Sequence, residues 1–379
     1  MRFEFATATR IIFGEGTATG LPDLAHSFGA RPLVVTGASP RRTAALVSSI
    51  AAETFSVPGE PTVRMIREGV RRVQEAGHDV VISIGGGSVI DAGKAIAAIA
   101  TNGGEPLDFL EVVGKGQAIT ARPLPFIAVP TTAGTGSEVT RNAVLGSPEH
   151  GVKASLRSPL MLPLVAVVDP ELTYDLPPEI TAYTGLDALT QLIEPYVSSR
   201  ANPLVDAICV EGIRRVAGAL RRAYHNGADT EARRDMALAS LFGGLALANS
   251  GLGVVHGFAS PLGGQWKAPH GALCAAVLPF GMAANVSALR ARAPQHAALE
   301  RYGTIARLVT GQSGASVEGG IDWVRELCAE LDVPALRVWG VNELDLPGIV
   351  EKAETASSMK VNPIPLTREE LMTVVSAAR

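Results

Sequence analysis

The sequence predicts two domains of different class: an α/β N-terminal domain on a parallel sheet, residues 1–178, and an all-α C-terminal domain, residues 179–379. Three observations carry this. Short, near-continuous apolar runs alternate with amphipathic stretches through the first half, as expected of strands covered on both faces by crossover helices. After Asp169-Pro170-Glu171-Leu172-Thr173 these runs stop, and from about Pro178 segments of helical period follow one another. A chain of 379 residues, 47% hydrophobic and 18% charged, can also fill two cores.

In order along the chain, Arg31–Thr36 (RPLVVT) reads as a strand and Pro40–Glu53 as the helix after it. Asp79–Ile84 (DVVISI) is a second buried strand, closed by Gly85-Gly86-Gly87-Ser88 and followed by the helix VIDAGKAIAAIA. Leu124–Val129 and Leu164–Val168 complete the sheet. In the second half, helical periods cover 180–198, 203–224, 230–249, 271–290, 294–310 and 316–331. The last helix spans Thr367–Ala378, where Thr367 and Glu370 match a capping box.

A net charge of −4 gives no electrostatic reason to expect nucleic acid or an anionic membrane as partner. Cys209, Cys274 and Cys328 are widely spaced, which is no disulfide framework and points to a reducing compartment. The start, MRFEFATATRIIFGEGT, lacks the basic and apolar regions of a signal peptide, and no apolar run reaches about 18 residues. The expectation is a soluble, cytoplasmic protein with no membrane partner.

The strand DVVISI ending in GGGS and opening a helix suits an anion: glycines admit close approach, and the helix N-terminus offers free N–H donors. It is neither GxGxxG nor GxxxxGKS. In the helix that follows, Lys94 is expected in solvent and Asp91 near the phosphates or capping the loop. A second polar loop, Pro130-Thr131-Thr132-Ala133-Gly134-Thr135-Gly136-Ser137-Glu138, also follows a strand; alone it would read as a self-satisfied Thr/Gly turn. Two such loops at the C-terminal ends of neighbouring parallel strands make dinucleotide binding the better reading. Past the first strand, Gly37-Ala38-Ser39-Pro40-Arg41-Arg42 has no acid to bond a ribose 2′-OH, but a serine and two arginines. That favours NADP over NAD, a solvated arginine pair being the alternative.

Asp187, His256 and His270 lie in otherwise apolar, helix-rich sequence. A carboxylate buried there needs a cation, and one carboxylate with two imidazoles suits Zn²⁺ or Fe²⁺. The two histidines flank Pro261-Leu262-Gly263-Gly264, read as a break that brings two helix ends around one point. Satisfied core histidines are an equal alternative. Gln191, one turn after Asp187, stands where a further strong ligand is expected.

The segments GGGSVIDAGKA, PTTAGTGSEVT, VVDPELTYDLPP, TGLDALTQLIEPYVS and HGFASPLGGQWKAPHGALCAAVLP closely resemble the iron-containing (group III) alcohol dehydrogenases, in order through most of the chain. The resemblance implies that family's architecture, shared with dehydroquinate synthase: a dinucleotide-binding α/β domain and a helical domain enclosing NAD(P) and a divalent metal. It implies metal ligands at Asp187, Gln191, His256 and His270, of which Gln191 replaces the usual histidine, and Ser260 replaces a histidine of the proton relay. It implies cofactor contacts from Gly86, Gly87, Ser88, Thr131, Thr132 and Thr135, and from Lys153 beside the nucleotide. Ser39 falls in the turn that distinguishes NADP from NAD. Family members usually pair as homodimers through their N-terminal strands.

The function expected is an NAD(P)-dependent alcohol dehydrogenase acting on a small alcohol or aldehyde, with Asp187, His256 and His270 as catalytic metal ligands. Because glutamine is a weak neutral ligand, a three-ligand Fe²⁺ or Zn²⁺ site stands against weak or absent metal binding. The alternatives are a maleylacetate reductase-like carbonyl reductase, a metal-dependent lyase or synthase resembling dehydroquinate synthase, and an idle nucleotide-binding protein.

Overall fold

A computed structural model describes residues 2–38 and 43–379. Contacts divide it into two compact units: Ala6–Thr132 with Gly136–Asp175, and Leu176–Arg379 with Ala133–Thr135 and the first residues up to Phe5.

The α/β unit contains β1 (Arg10–Phe13), β2 (Pro32–Gly37), β3 (Glu53–Val57), β4 (Val80–Gly85), β5 (Phe126–Pro130), β6 (Asn142–Ser147), β7 (Val152–Arg157) and β8 (Val165–Val168). Its helices are α1 (Leu21–His26), α2 (Ala44–Ser49), α3 (Val63–Ala76), α4 (Gly87–Asn102) and α5 (Pro106–Phe109). Six strands form a parallel sheet in the order β1-β8-β5-β4-β2-β3, and β6 and β7 form an antiparallel pair. Side chains alternate faces along each strand. Leu33, Val35, Val81 and Ala128 join one core with Ile66, Val70 and Ile96, while Val34, Ile82, Ile84, Ile127 and Val129 join another with Leu21 and Ala25. Each such fully buried aliphatic contributes about 1.5–3 kcal/mol.

Chain direction across the sheet reverses between β2 and β4: β3 lies outside β2 on one side, while β4, β5 and β8 follow on the other. Ligands of open α/β sheets gather at the carboxyl edge of such a switch point.

The strand predictions at 31–36, 79–84, 124–129 and 164–168 hold to within two residues. The helix predicted over 40–53 does not. Described helix covers only Ala44–Ser49, Ala51 takes a left-handed φ of 52°, and Glu53 already begins β3. Glu53–Val57 alternates exposed and buried residues at its end, so period two overrides the helical reading there. The short edge strands β1 and β3 and the β6–β7 pair carry only brief apolar signals and were not anticipated.

The helical unit contains α6 (Pro178–Val197), α7 (Pro203–His225), α8 (Thr230–Ser250), α9 (Val254–Gln265), α10 (His270–Arg292), α11 (Ala297–Thr310), α12 (Val317–Glu330), α13 (Leu346–Thr355) and α14 (Arg368–Ala378). A proline opens α6, where its missing N–H costs nothing. The predicted capping box opens α14: Glu370 N–H donates to Thr367 Oγ1 at 3.2 Å and Thr367 N–H to Glu370 Oε2 at 2.7 Å. The break expected at Pro261–Gly264 lies elsewhere. Pro261 sits inside α9, the helix runs on to Gln265, and the chain turns at 266–269. Among the described residues α10 is long and apolar enough to cross a membrane, contrary to the expectation that no run reaches that length. With 78% of its apolar window buried in the unit, it is accounted for as a core helix.

Candidate functional site

Asp187, Gln191 and Glu194 lie at i, i+4 and i+7 of α6, which puts them on one face. His256 is in the first turn of α9; His270 opens α10, and Cys274 follows it by one turn. Gly271 lets these helices meet. A Cβ there would stand 2.2 Å from the Tyr183 carbonyl oxygen, so any larger residue would push the start of α10 off α6 one turn before Asp187.

The sequence-predicted Asp187, His256 and His270 therefore converge. Asp187 Oδ1 lies 3.4 Å from His256 Nε2 and 3.9 Å from His270 Nε2. Cys274 Sγ lies 3.8 and 3.6 Å from the same two nitrogens. One ligand atom from each of the four residues falls within 4.8 Å of the others. Asp187, His256 and Cys274 are buried, and His270 is the more open, with 39% of its side chain exposed.

Two supports hold the cluster. Glu194 Oε2 accepts from His256 Nδ1 at 2.7 Å, and Oε1 accepts the free Val255 N–H of the α9 N-terminus at 2.7 Å. With Nδ1 carrying the hydrogen, the Nε2 lone pair faces Asp187. Gln191 Nε2 donates to Asp187 Oδ2 at 3.0 Å. Sequence reasoning missed Cys274 and Glu194; the signals available were His-x3-Cys at one-turn spacing and a third polar residue on the apolar face of α6.

Burial alone would raise the Asp187 carboxyl, but contact with His256 and the charge of His270 outweigh it and hold it below its ordinary value. Burial opposes protonation of His256, yet the Cys274 charge and contacts with Asp187 and Glu194 take it well above the usual imidazole value. His270 is pushed up to about 9, chiefly by the Cys274 charge and, against burial, by Asp187.

The donor set fits a divalent metal. Asp187 Oδ1 is buried and makes no hydrogen bond, a costly condition unless a cation meets it. Ligand atoms about 2.0–2.3 Å from one ion lie about 3–4 Å apart, the spacing seen here. Ser260, one turn beyond His256, is exposed.

In the α/β unit the two glycine-containing loops lie side by side. β4 and β5 pair with Gly85 opposite Pro130, and Thr131 N–H donates to the Gly85 carbonyl at 3.0 Å. A Cβ on Gly86 would stand 3.4 Å from Thr132. Gly85 itself admits no side chain, because Val89 would lie within 2.8 Å of its Cβ. No side chain caps α4, so the N–H groups of Gly87 and Ser88 are available to an anion. Thr131 and Thr132 belong to the α/β unit and Thr135 to the helical unit, while Lys153 on β7 pairs with Glu60 at 3.1 Å. Ser39, with Arg41 and Arg42, lies outside the described residues.

Lys94 is a correction: it is 1% exposed, not solvated. Its Nζ donates to the carbonyls of Ser137 (2.8 Å), Asn142 (2.6 Å) and Thr140 (3.3 Å) and to Thr140 Oγ1 (2.9 Å). The segment 137–142 turns these carbonyls inward, and the buried acceptors need a donor that α4 supplies. Asp91 braces this segment and the strand that follows it, accepting from Ser137 Oγ at 2.5 Å and from Val144 N–H of β6 at 2.9 Å.

Residues 8–170 match the family profile described as iron-containing alcohol dehydrogenase, and residues 181–379 match its C-terminal counterpart. The chain is 40% identical over 324 residues to alcohol dehydrogenase 4 of Schizosaccharomyces pombe, covering 85% of this chain and 74% of that one. A crystal structure of 1,3-propanediol oxidoreductase superposes with a TM-score of 0.91 at 31% identity over all of both chains. A sulfoacetaldehyde reductase from Bifidobacterium kashiwanohense, in complex with NAD+, gives 0.87 at 29% identity over 99% of this chain and 98% of that one. These relatives are oxidoreductases, and the lyase, synthase and maleylacetate reductase alternatives are not favoured.

Proposed function

Since this chain belongs to the iron-containing alcohol dehydrogenase family, we propose that it is an NAD(P)-dependent alcohol dehydrogenase interconverting a small alcohol and its aldehyde. The observation that carries the reading is the orphaned, buried Asp187 Oδ1 facing two imidazole nitrogens. Asp187, His256 and His270 would hold a divalent Fe²⁺ or Zn²⁺. When bound, the metal supplies Lewis acidity toward the substrate oxygen and the nicotinamide gives or takes the hydride.

The residues themselves bind and orient. Asp187 supplies negative charge in a water-poor setting, and Glu194 fixes the tautomer of His256. Gly86, Gly87 and Ser88 offer the uncapped N-terminus of α4 to the cofactor phosphates. Thr131, Thr132, Thr135 and Lys153 supply further cofactor contacts. The turn after β2 has no acid to repel a 2′-phosphate, which favours NADP. With serine at 260 in place of the relay histidine, the exposed Ser260 hydroxyl or water would carry the substrate proton. In this reading the protein works in the cytoplasm as a homodimer paired through its N-terminal strands, with no nucleic acid or membrane partner.

Oxidation of NADPH and NADH by metal-reconstituted protein, with a panel of simple aldehydes, tests this. Turnover above the aldehyde-free rate, faster with NADPH, is expected. No turnover with any aldehyde and either nucleotide would overturn the activity.

A further inference from the structure

We propose that Cys274 is the fourth ligand of this metal site, in place of the histidine that Gln191 replaces, and that the resulting Asp–His–His–Cys set selects zinc over iron. The inference rests on the metal reading above and says what completes the site.

Position comes first. Cys274 follows His270 by one helical turn, so both project from one face of α10. Its sulfur lies 3.6 Å from His270 Nε2 and 3.8 Å from His256 Nε2, within the cluster that also contains the unpartnered Asp187 Oδ1. Donor atoms grouped this way are spaced as ligands of one tetrahedral ion are.

The other two cysteines show what a merely structural cysteine looks like here. Burial raises the Cys209 thiol well above its ordinary value and pushes Cys328 up to about 12, and the Cys328 sulfur only donates weakly to the Ala275 carbonyl at 3.5 Å. All three cysteines belong to the same apolar core. Cys274 is equally inaccessible, yet its sulfur faces two imidazoles.

Gln191 is oriented otherwise, with only its amide nitrogen bonded and its carbonyl oxygen unpartnered. Its amide nitrogen is on Asp187 Oδ2, and its carbonyl oxygen faces α8, 3.3 Å from where a Cβ on Gly243 would stand. Flipping the amide would set oxygen against the carboxylate, so hydrogen bonding fixes the orientation. Gln191 therefore positions Asp187.

Asp187 and a Cys274 thiolate would set two negative donors directly against a dication. On binding, the S–H bond breaks, a sulfur–metal bond forms and the proton leaves to solvent. A thiolate is a soft ligand that suits zinc.

The test is Co²⁺ substitution of the stripped full-length protein, with metal stoichiometry and competitive Zn²⁺ affinity measured alongside. Cobalt protein should show visible ligand-field bands and a near-ultraviolet thiolate-to-cobalt charge-transfer band. Cys274→Ser should abolish the charge-transfer band, keep the visible bands and lower Zn²⁺ affinity at least about a hundredfold, the upper range for losing a mere ligand support. Cys328→Ser and Gln191→Ala should retain the charge-transfer band. Because the wild-type spectrum alone reports a sulfur ligand, the test stands even if Cys274→Ser fails to fold. Visible bands without the charge-transfer band in wild type would overturn Cys274 as ligand and leave the metal site standing. Failure to bind Co²⁺ or Zn²⁺ stoichiometrically would overturn both.

Discussion

The protein buries two polar constellations that differ in one respect. Around Lys94 in the α/β unit, four acceptors surround the ammonium and both Asp91 oxygens are engaged. Around Asp187 in the helical unit, one carboxylate oxygen and the Gln191 carbonyl have no partner, although two histidines and a cysteine stand nearby. A satisfied buried network holds a fold together; an unsatisfied one costs stability and persists where a ligand completes it. The first is read as scaffold and the second as site.

Replacing the central group of each network should give opposite results. Asp187→Ala should lower kcat/KM by roughly 10⁴-fold, about 5 kcal/mol, the scale of losing metal-based charge stabilisation. Elemental analysis should show the metal lost. Wild-type rates in the stripped variant would sink the metal role. Lys94→Met should do the reverse: it strands buried carbonyls and Asp91, costing about 3–5 kcal/mol in urea unfolding, with metal content of the folded fraction unchanged. A stability loss well under 1 kcal/mol would remove Lys94 from the scaffold.

Glu138 sharpens the scaffold side through pH. Burial pushes its carboxyl up to about 7 from 4.5, against its own backbone N–H and the charge of Lys94. A folded value above the unfolded one means the contribution is fully present below pH 4.5 and lost as pH rises through about 7. Wild type should therefore lose about 2–3 kcal/mol across that window from this group, and Glu138→Gln should lack the decline. Parallel pH–stability curves for the two proteins would contradict the buried titration.

The sheet strands that bear the loops were legible because strands buried on both faces are nearly all apolar, and the long helices because their period repeats over many turns. Edge strands such as β3 were lost, since half their residues face solvent. Asp187, His256 and His270 were legible as polar residues out of place in apolar sequence. Lys94 was misread for the same reason in reverse: lysine is normally exposed, and only the inward carbonyls of 137–142, set by tertiary structure, reveal why it is buried. Cys274 passed for core because a lone cysteine among alanines and leucines carries no signal until helix packing places its sulfur by two imidazoles. The sequence reading of Ser39 lies beyond the described residues.

Glu194 lies at the boundary between the two classes, because its bonds are fully made yet one of them reaches a site residue. Its two oxygens accept from His256 Nδ1 and from Val255 N–H, each at 2.7 Å. Glutamine has the same shape but only one accepting atom, so Glu194→Gln must set an N–H against one of these donors. If Glu194 serves the site, the His256 ring loses its fixed orientation and Zn²⁺ affinity falls about 10–100-fold, while urea stability of the metal-free protein changes little. If it serves the scaffold, the order reverses: affinity holds, and stability drops by about 1–3 kcal/mol for the donor left unpaired at the start of α9. Competitive Zn²⁺ titration beside urea unfolding distinguishes them, and we expect the first result, since the bond to His256 Nδ1 directs the Nε2 lone pair at Asp187.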